Sequence, residues 1–267
     1  MRQSLLTLLA LSGLAMSIAG QAPAPPPPAR EAFHLFLLAG QSNMAGRGKV
    51  EASDTVPSPG ILMFDRGRTW VPAVDPMHFD KPVAGVGLGR PFALRVLEAN
   101  PGVTIGLIPT AVGGTRIDLW QPGAFDDATK SHPWDDAIAR ATAALPSGTL
   151  KAILWHQGES DATPELAPAY EAKLHALIAR FRTTLRAPEV PFIVGQLGQY
   201  PDVPWDDARR IVDAAHRSLP ARVAHTAFVA SDGLVHGGDR IHFDRASLQE
   251  LGKRYADAYA RLVAPAR

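Results

Sequence analysis

Four short apolar runs, each closing on glycine or polar residues, constrain this chain more than any other feature. They are Phe33 to Leu38, Val103 to Thr110, Leu150 to His156 and Phe192 to Leu197, with Thr226 to Ala230 as a weaker fifth. Each reads as a buried strand. Helical segments fit between them. Arg90 to Asn100 carries Pro91 near its start, where a missing N–H costs nothing. Asp135 to Leu145 is Ala-rich, and Trp205 to Leu219 is a further helical stretch. Leu166 to Leu185 places Tyr170, Leu174, Leu177 and Phe181 on one helical face, and Ala246 to Val263 does the same with Leu248, Leu251, Tyr255 and Tyr259. This alternation predicts a parallel sheet covered on both faces. Ligands of such sheets bind beyond the carboxyl ends of the strands, so chemical residues are expected just after the apolar runs. The stretch from Arg47 to Gly89 reads as loop, with one short apolar run at Ile61 to Phe64.

The N-terminus has a different character. Arg2 precedes an apolar stretch from Leu5 to Ala19, followed by small residues, which describes a signal peptide over 1–22. The stretch is too short and interrupted for a membrane span. Residues 23–30 are Pro-rich and read as an extended linker. The rest, 31–267, suits one sizeable α/β domain. The expectation is a secreted or periplasmic protein with no membrane contact after signal cleavage. A formal charge of +1 with scattered basic residues offers no nucleic-acid-binding field. With no cysteine, disulfides, a thiol nucleophile and thiolate metal ligands are excluded.

Four constellations lie just after apolar runs or just before the last helix. Gly40-Gln41-Ser42-Asn43-Met44 places a serine after the first run, where a neighbouring base could activate its hydroxyl. The same serine could be a helix cap. The segment is not a G-x-S-x-G elbow. Thr110 to Arg116 contains the pair Gly113-Gly114, whose backbone N–H groups can approach a ligand closely, as an oxyanion hole requires. The alternative is an ordinary turn. Trp155-His156-Gln157-Gly158-Glu159-Ser160-Asp161 offers the Gln157 amide as a further oxyanion donor, while Glu159 and Asp161 could orient loops. His156 reads best as a satisfied loop histidine. In Asp239-Arg240-Ile241-His242-Phe243, Asp239 could fix the imidazole tautomer and leave the other nitrogen as a base. The competing reading is a surface turn, with Asp244 capping the next helix.

Other features carry less. Gly85-Val86-Gly87-Leu88-Gly89 lacks dinucleotide-loop spacing. His236, Asp239 and His242 lack a specific metal-ligand pattern, so neither a metal nor another cofactor is expected. Arg116, Trp120 and Trp155 are candidate sugar contacts, Trp by stacking and Arg by pairing with a carboxylate, although both Trp read better as loop supports.

Taken together, Leu38 to Met44, Gly113-Gly114-Thr115, Trp155 to Asp161 and Asp239 with His242 resemble the SGNH (GDSL-like) hydrolase superfamily. Within it they are similar to the carbohydrate acetylesterase branch, which includes acetyl xylan esterases and sialate O-acetylesterases. The stretch Gly85 to Ala93 is a weaker match. The blocks span Phe33 to Tyr259 in family order. The resemblance implies a three-layer α/β/α sandwich with a central five-stranded parallel sheet. It implies Ser42 as nucleophile, His242 as base and Asp239 as its orienting acid. It also implies oxyanion donors from the Ser42 backbone, from Gly113 or Gly114 with Gly113 favoured, and from the Gln157 side chain. Glu159 joins Arg116, Trp120 and Trp155 as a candidate substrate contact. The third block has Gln157 where the wider superfamily has asparagine, a form common in the acetylesterase branch. Asp232 and His236 stand as a competing acid and base. The activity implied is hydrolysis of O-acetyl esters of carbohydrates through an acetyl-serine intermediate. A non-catalytic carbohydrate-binding module and a general lipase or thioesterase are the alternatives.

Overall fold

The computed structural model describes residues 28–264. The signal-peptide expectation and most of the linker lie outside the described residues. The folded body begins at a short 3-10 turn, Arg30–Ala32, which leads into the first strand.

Seven strands form one sheet: β1 (Phe33–Gly40), β2 (Ile61–Phe64), β3 (Trp70–Pro72), β4 (Thr104–Pro109), β5 (Thr149–His156), β6 (Phe192–Gly195) and β7 (Thr226–Val229). Their order is β3-β2-β4-β1-β5-β6-β7. All neighbours are parallel except β2 and β3. The five strands read from apolar runs are the contiguous parallel set β4-β1-β5-β6-β7. The two extra strands come from the segment expected to be loop. β2 is the Ile61-to-Phe64 run itself, and β3 folds back on it in a short antiparallel pair. Such short edge strands carry little periodicity to read.

The helices are α1 (Ser42–Ala45), α2 (Gly89–Ala99), α3 (Pro133–Ala144), α4 (Tyr170–Thr184), α5 (Asp207–Arg222) and α6 (Arg245–Val263). Successive residues of a strand face opposite sides. Hence Phe33, Leu35, Leu37 and Ala39 of β1 join a core with residues of α3, α4 and α5. Phe36 and Leu38 join a second core with residues of α2 and α6. The same split divides β5, with Ile153 and Trp155 on one side and Ala152 and Leu154 on the other. The result is a three-layer α/β/α sandwich. Each large buried side chain contributes about 1.5–3 kcal/mol of burial free energy. Two capping carboxylates fix helix starts near the site's edge: Asp206 accepts from Arg209 N–H at α5, and Asp244 from Ser247 N–H at α6, as its sequence position suggested.

A candidate active site at the carboxyl end of the sheet

β1 is the central strand, and its last residue sets the geometry of the serine turn. Gly40 has φ 126°, and a Cβ there would run into the His156 backbone of β5. Only glycine permits that approach. Gln41 N–H then donates to His156 O at 2.8 Å, and the chain turns into the single helical turn α1 with Ser42 at its first position. A second glycine, Gly46 at φ 90°, ends this turn and packs backbone-to-backbone against Gly85, Val86 and Gly87. The run Gly85 to Gly89, which lacks dinucleotide-loop spacing, is therefore the backing of the serine turn.

His242 arrives from the segment before α6. One carboxylate shapes that segment. Asp239 Oδ1 accepts from the N–H groups of Ile241 (2.9 Å) and His242 (2.8 Å), while its Oδ2 meets His242 Nδ1 at 2.6 Å. Burial acts to raise the Asp239 carboxyl, but hydrogen bonds from the His242 backbone and ring and from Ile241 outweigh it and hold it at about 2. With Nδ1 committed to the carboxylate, Nε2 faces Ser42 Oγ at 2.9 Å. A carboxylate, an imidazole and a hydroxyl are thus in line. This arrangement can take a proton from the hydroxyl as it attacks an electrophile. Ser42 is 5% exposed and the His242 side chain 24%, so the line ends at the protein surface.

Asn43, which the sequence pattern did not single out, joins the two halves. Its Oδ1 accepts from Phe243 N–H (3.1 Å); its Nδ2 donates to Glu159 Oε1 (2.7 Å) and Ile241 O (3.4 Å). The residue after the serine therefore grips the residues on both sides of the histidine. Tyr200 adds a hydrogen bond to Ile241 O at 3.2 Å and packs edge-on to Phe243. His156 is fully buried, packs edge-on beneath Phe243, and is held toward its neutral form by burial. Glu159 is a strut of this network through Asn43, not a group held out toward solvent.

Several expectations are corrected by the hydrogen bonds. Gln157 is fully buried, and its two amide protons already have acceptors, Thr115 O (3.0 Å) and Asp161 Oδ2 (2.5 Å). Its Oε1 lies 3.0 Å from Tyr170 Oη, which also meets His216 Nε2 at 3.0 Å. No proton is left to offer an oxyanion. Gly113 is likewise spent, since its N–H donates to Asp80 Oδ2 at 2.9 Å. The Ser42 and Gly114 N–H groups have no protein acceptor among the described residues. Trp120 and Trp155 are fully buried and pack edge-on to each other at 5.0 Å, so neither offers a face to a sugar. Trp120 Nε1 instead holds Thr115 Oγ1 at 3.1 Å. Arg116 is exposed beside the glycine pair. The competing pair is not brought to the serine: His236 Nε2 lies 3.2 Å from both oxygens of Asp202, and Asp232 is exposed.

A doubly covered parallel sheet with a Ser–His–Asp line beyond its strand ends is the arrangement of a serine hydrolase, and it fits the SGNH type that the sequence blocks resemble. Comparison with known proteins narrows this. The family model described as carbohydrate esterase, sialic acid-specific acetylesterase, matches residues 32–261, and the chain belongs to that family. It is therefore a carboxylic ester hydrolase of the carbohydrate-esterase kind. It is 31% identical over 264 residues to a probable carbohydrate esterase of Arabidopsis thaliana, covering 90% of this chain and 92% of that protein. A solved Arabidopsis thaliana structure superposes with TM-score 0.74 at 29% identity, covering 85% of this chain and 98% of that one. A carbohydrate acetylesterase from Xanthomonas citri shares the fold, with TM-score 0.67 at 20% identity over 85% of this chain and 56% of that one.

Proposed function

We propose that the protein removes O-acetyl groups from carbohydrates such as acetylated xylan, sialic acid or a related glycan, with Ser42 as nucleophile. The observation that carries this reading is the continuous line from Asp239 Oδ2 through the His242 ring to Ser42 Oγ, at 2.6 and 2.9 Å. His242 Nε2 takes the Ser42 proton as Oγ bonds to the acetyl carbonyl carbon. The carbonyl electron pair moves to oxygen, where the free N–H groups of Ser42 and Gly114 are the donors on offer. The carbonyl reforms, the bond to the sugar oxygen breaks, and that oxygen leaves with the proton from His242. Water then attacks the acetyl-serine with the same imidazole as base, releasing acetate and restoring Ser42. Asp239 keeps its charge throughout and stabilises the imidazolium.

The description of the family as sialic acid-specific, and that of the Xanthomonas citri relative as a carbohydrate acetylesterase, support an acetylated sugar as substrate. We also propose export, on the strength of Arg2 and the apolar run to Ala19; N-terminal sequencing of the mature protein tests it. The test of function is acetate release from acetylated xylo-oligosaccharides and from O-acetylated sialic acid, beside p-nitrophenyl esters of increasing acyl length. Release from one of the sugars with a preference for the acetyl ester is expected. A preference for long acyl chains would assign a lipase instead, and the absence of any hydrolysis would favour a binding module.

A further inference from the structure

Gly113 and Gly114 sit on a turn that is held from two sides. Val112 donates its N–H to Gly40 O at 2.9 Å, which ties the turn to the end of β1. The second tie is an ion pair that the sequence pattern did not single out. Asp80 Oδ2 accepts from the Gly113 N–H at 2.9 Å and from Arg47 Nη2 at 2.8 Å. Arg47 Nη1 donates to Gly46 O at 2.7 Å, and the Gly46 N–H donates to Ser42 O at 2.9 Å. A continuous chain of hydrogen bonds therefore runs from Ser42 through Gly46, Arg47 and Asp80 to Gly113.

The pair is built into the protein interior. The Arg47 side chain is 5% exposed and that of Asp80 1%. Two buried charges need each other, since the loss of either strands its partner. Arginine suits this post because its planar fork reaches two acceptors at once. Gly113 fits tightly against the pair: a Cβ there would run into the Arg47 guanidinium and the Asp80 carboxylate. The N–H of Gly114 belongs to the peptide that begins at Gly113, and a peptide is planar. Fixing Gly113 therefore restricts where the Gly114 N–H points. That N–H and the one of Ser42, near the two ends of the chain of bonds, have no protein acceptor among the described residues.

We propose that Arg47 and Asp80 are positioning residues: their buried pair locks the glycine turn to the serine turn and so holds the Ser42 and Gly114 N–H groups together as one oxyanion hole. The inference rests on the reading of Ser42 as nucleophile. Neither side chain touches the reacting atoms. They act through the backbone, and the hole is set before substrate arrives, as electrostatic stabilisation of a developing charge requires.

The test combines Arg47→Met with Asp80→Leu, which removes both charges at once and strands neither. The readout is the preference for p-nitrophenyl acetate over its thionoester, in which sulfur replaces the carbonyl oxygen. A hole built for oxygen discriminates against sulfur, whereas damage to Ser42 or His242 slows both esters alike. The double variant should lose about 10–100-fold in kcat for the acetate with KM little altered, and its preference should fall at least about tenfold. Asp80→Asn keeps an oxygen for the Gly113 N–H and should recover most of the preference. An unchanged preference in the folded double variant, or a loss in Asp80→Asn as large as in the double variant, would overturn the inference. If the double variant does not fold, Arg47→Lys replaces it: the charge stays, the fork goes, and the preference should still fall by at least about threefold. An unchanged preference there would overturn the inference equally. Full activity in Ser42→Ala, or no hydrolysis by the wild type, would refute the Ser42 reading alone. Hydrogen exchange of the Gly113 N–H, followed by NMR, then decides the lock: it should quicken at least about tenfold in the variant, and unchanged exchange would overturn it.

Discussion

At the end of β1, the Ser42 hydroxyl and the His242 ring stay within reach of solvent and spend their hydrogen bonds on each other. At the end of β5, one strand over, Trp155, His156 and Gln157 are fully buried, and Gln157 gives every polar group to the protein. Both turns carry residue types suited to chemistry, and both come after a strand of the same sheet. The difference lies in where each group meets its partners: Ser42 and His242 pair with each other within reach of solvent, whereas Gln157 is sealed in the interior with every polar group held by the protein and so holds the structure. Asn43 and Glu159 are the seam between the two, joined at 2.7 Å.

This contrast can be broken by substitution. The largest effect belongs to the first turn: His242→Ala should lower kcat for p-nitrophenyl acetate by about 10⁴-fold with the melting temperature almost unchanged. A fall in stability of comparable weight would place His242 with the structural groups. Next, Gln157→Ala should destabilise the protein by roughly 2–4 kcal/mol in chemical denaturation, because Asp161, Thr115 O and Tyr170 lose partners inside the core. A folded, fully stable Gln157→Ala protein with crippled turnover would reverse the assignment and return Gln157 to the oxyanion hole. Asn43→Ala probes the seam and should reduce kcat by about 10–100-fold with KM little altered, since it loosens both neighbours of His242 without touching the reacting atoms. Unchanged kcat would remove it as a positioning residue.

The smallest effect concerns pH. The Asp239 carboxyl is depressed from its ordinary value of 3.8 to about 2 in the folded state. A depressed acid stabilises the fold above the unfolded pKa and loses that contribution as pH falls through the folded one. Its side chain is half exposed, so screening limits the contribution to about 1 kcal/mol. The stability gap between wild type and Asp239→Asn should be present at pH 6 and should close between pH 4 and pH 2. A gap that stays constant over that range would mean that the carboxylate charge adds nothing to the fold.

The parallel frame was legible because five apolar strand runs and five amphipathic helices have distinct periods. β3 was not: Trp70–Pro72 is three residues long and owes its pairing to β2 rather than to its own pattern. In the site, Ser42, His242 and Asp239 are brought together as their sequence contexts suggested. Gln157, expected as an oxyanion donor, is a core group for a physical reason, and the same reason makes the tryptophans the loop supports their alternative reading had them as. Residue type reports what a side chain can do, while burial and partners, set by distant segments such as Tyr170, decide what remains for it to do. Asn43 escaped notice because its role rests on contacts with Glu159, Ile241 and Phe243, all more than 100 positions away.

The central claim is that Ser42 attacks the acetyl group. The most direct test is hydrolysis of p-nitrophenyl acetate by wild type and Ser42→Ala side by side, with each protein's fold checked by circular dichroism and with mass analysis of the quenched reaction. The account predicts turnover and an acetyl group on Ser42 in the wild type, and a folded variant that is nearly inactive and unmodified. Equal activity in the two proteins would contradict it.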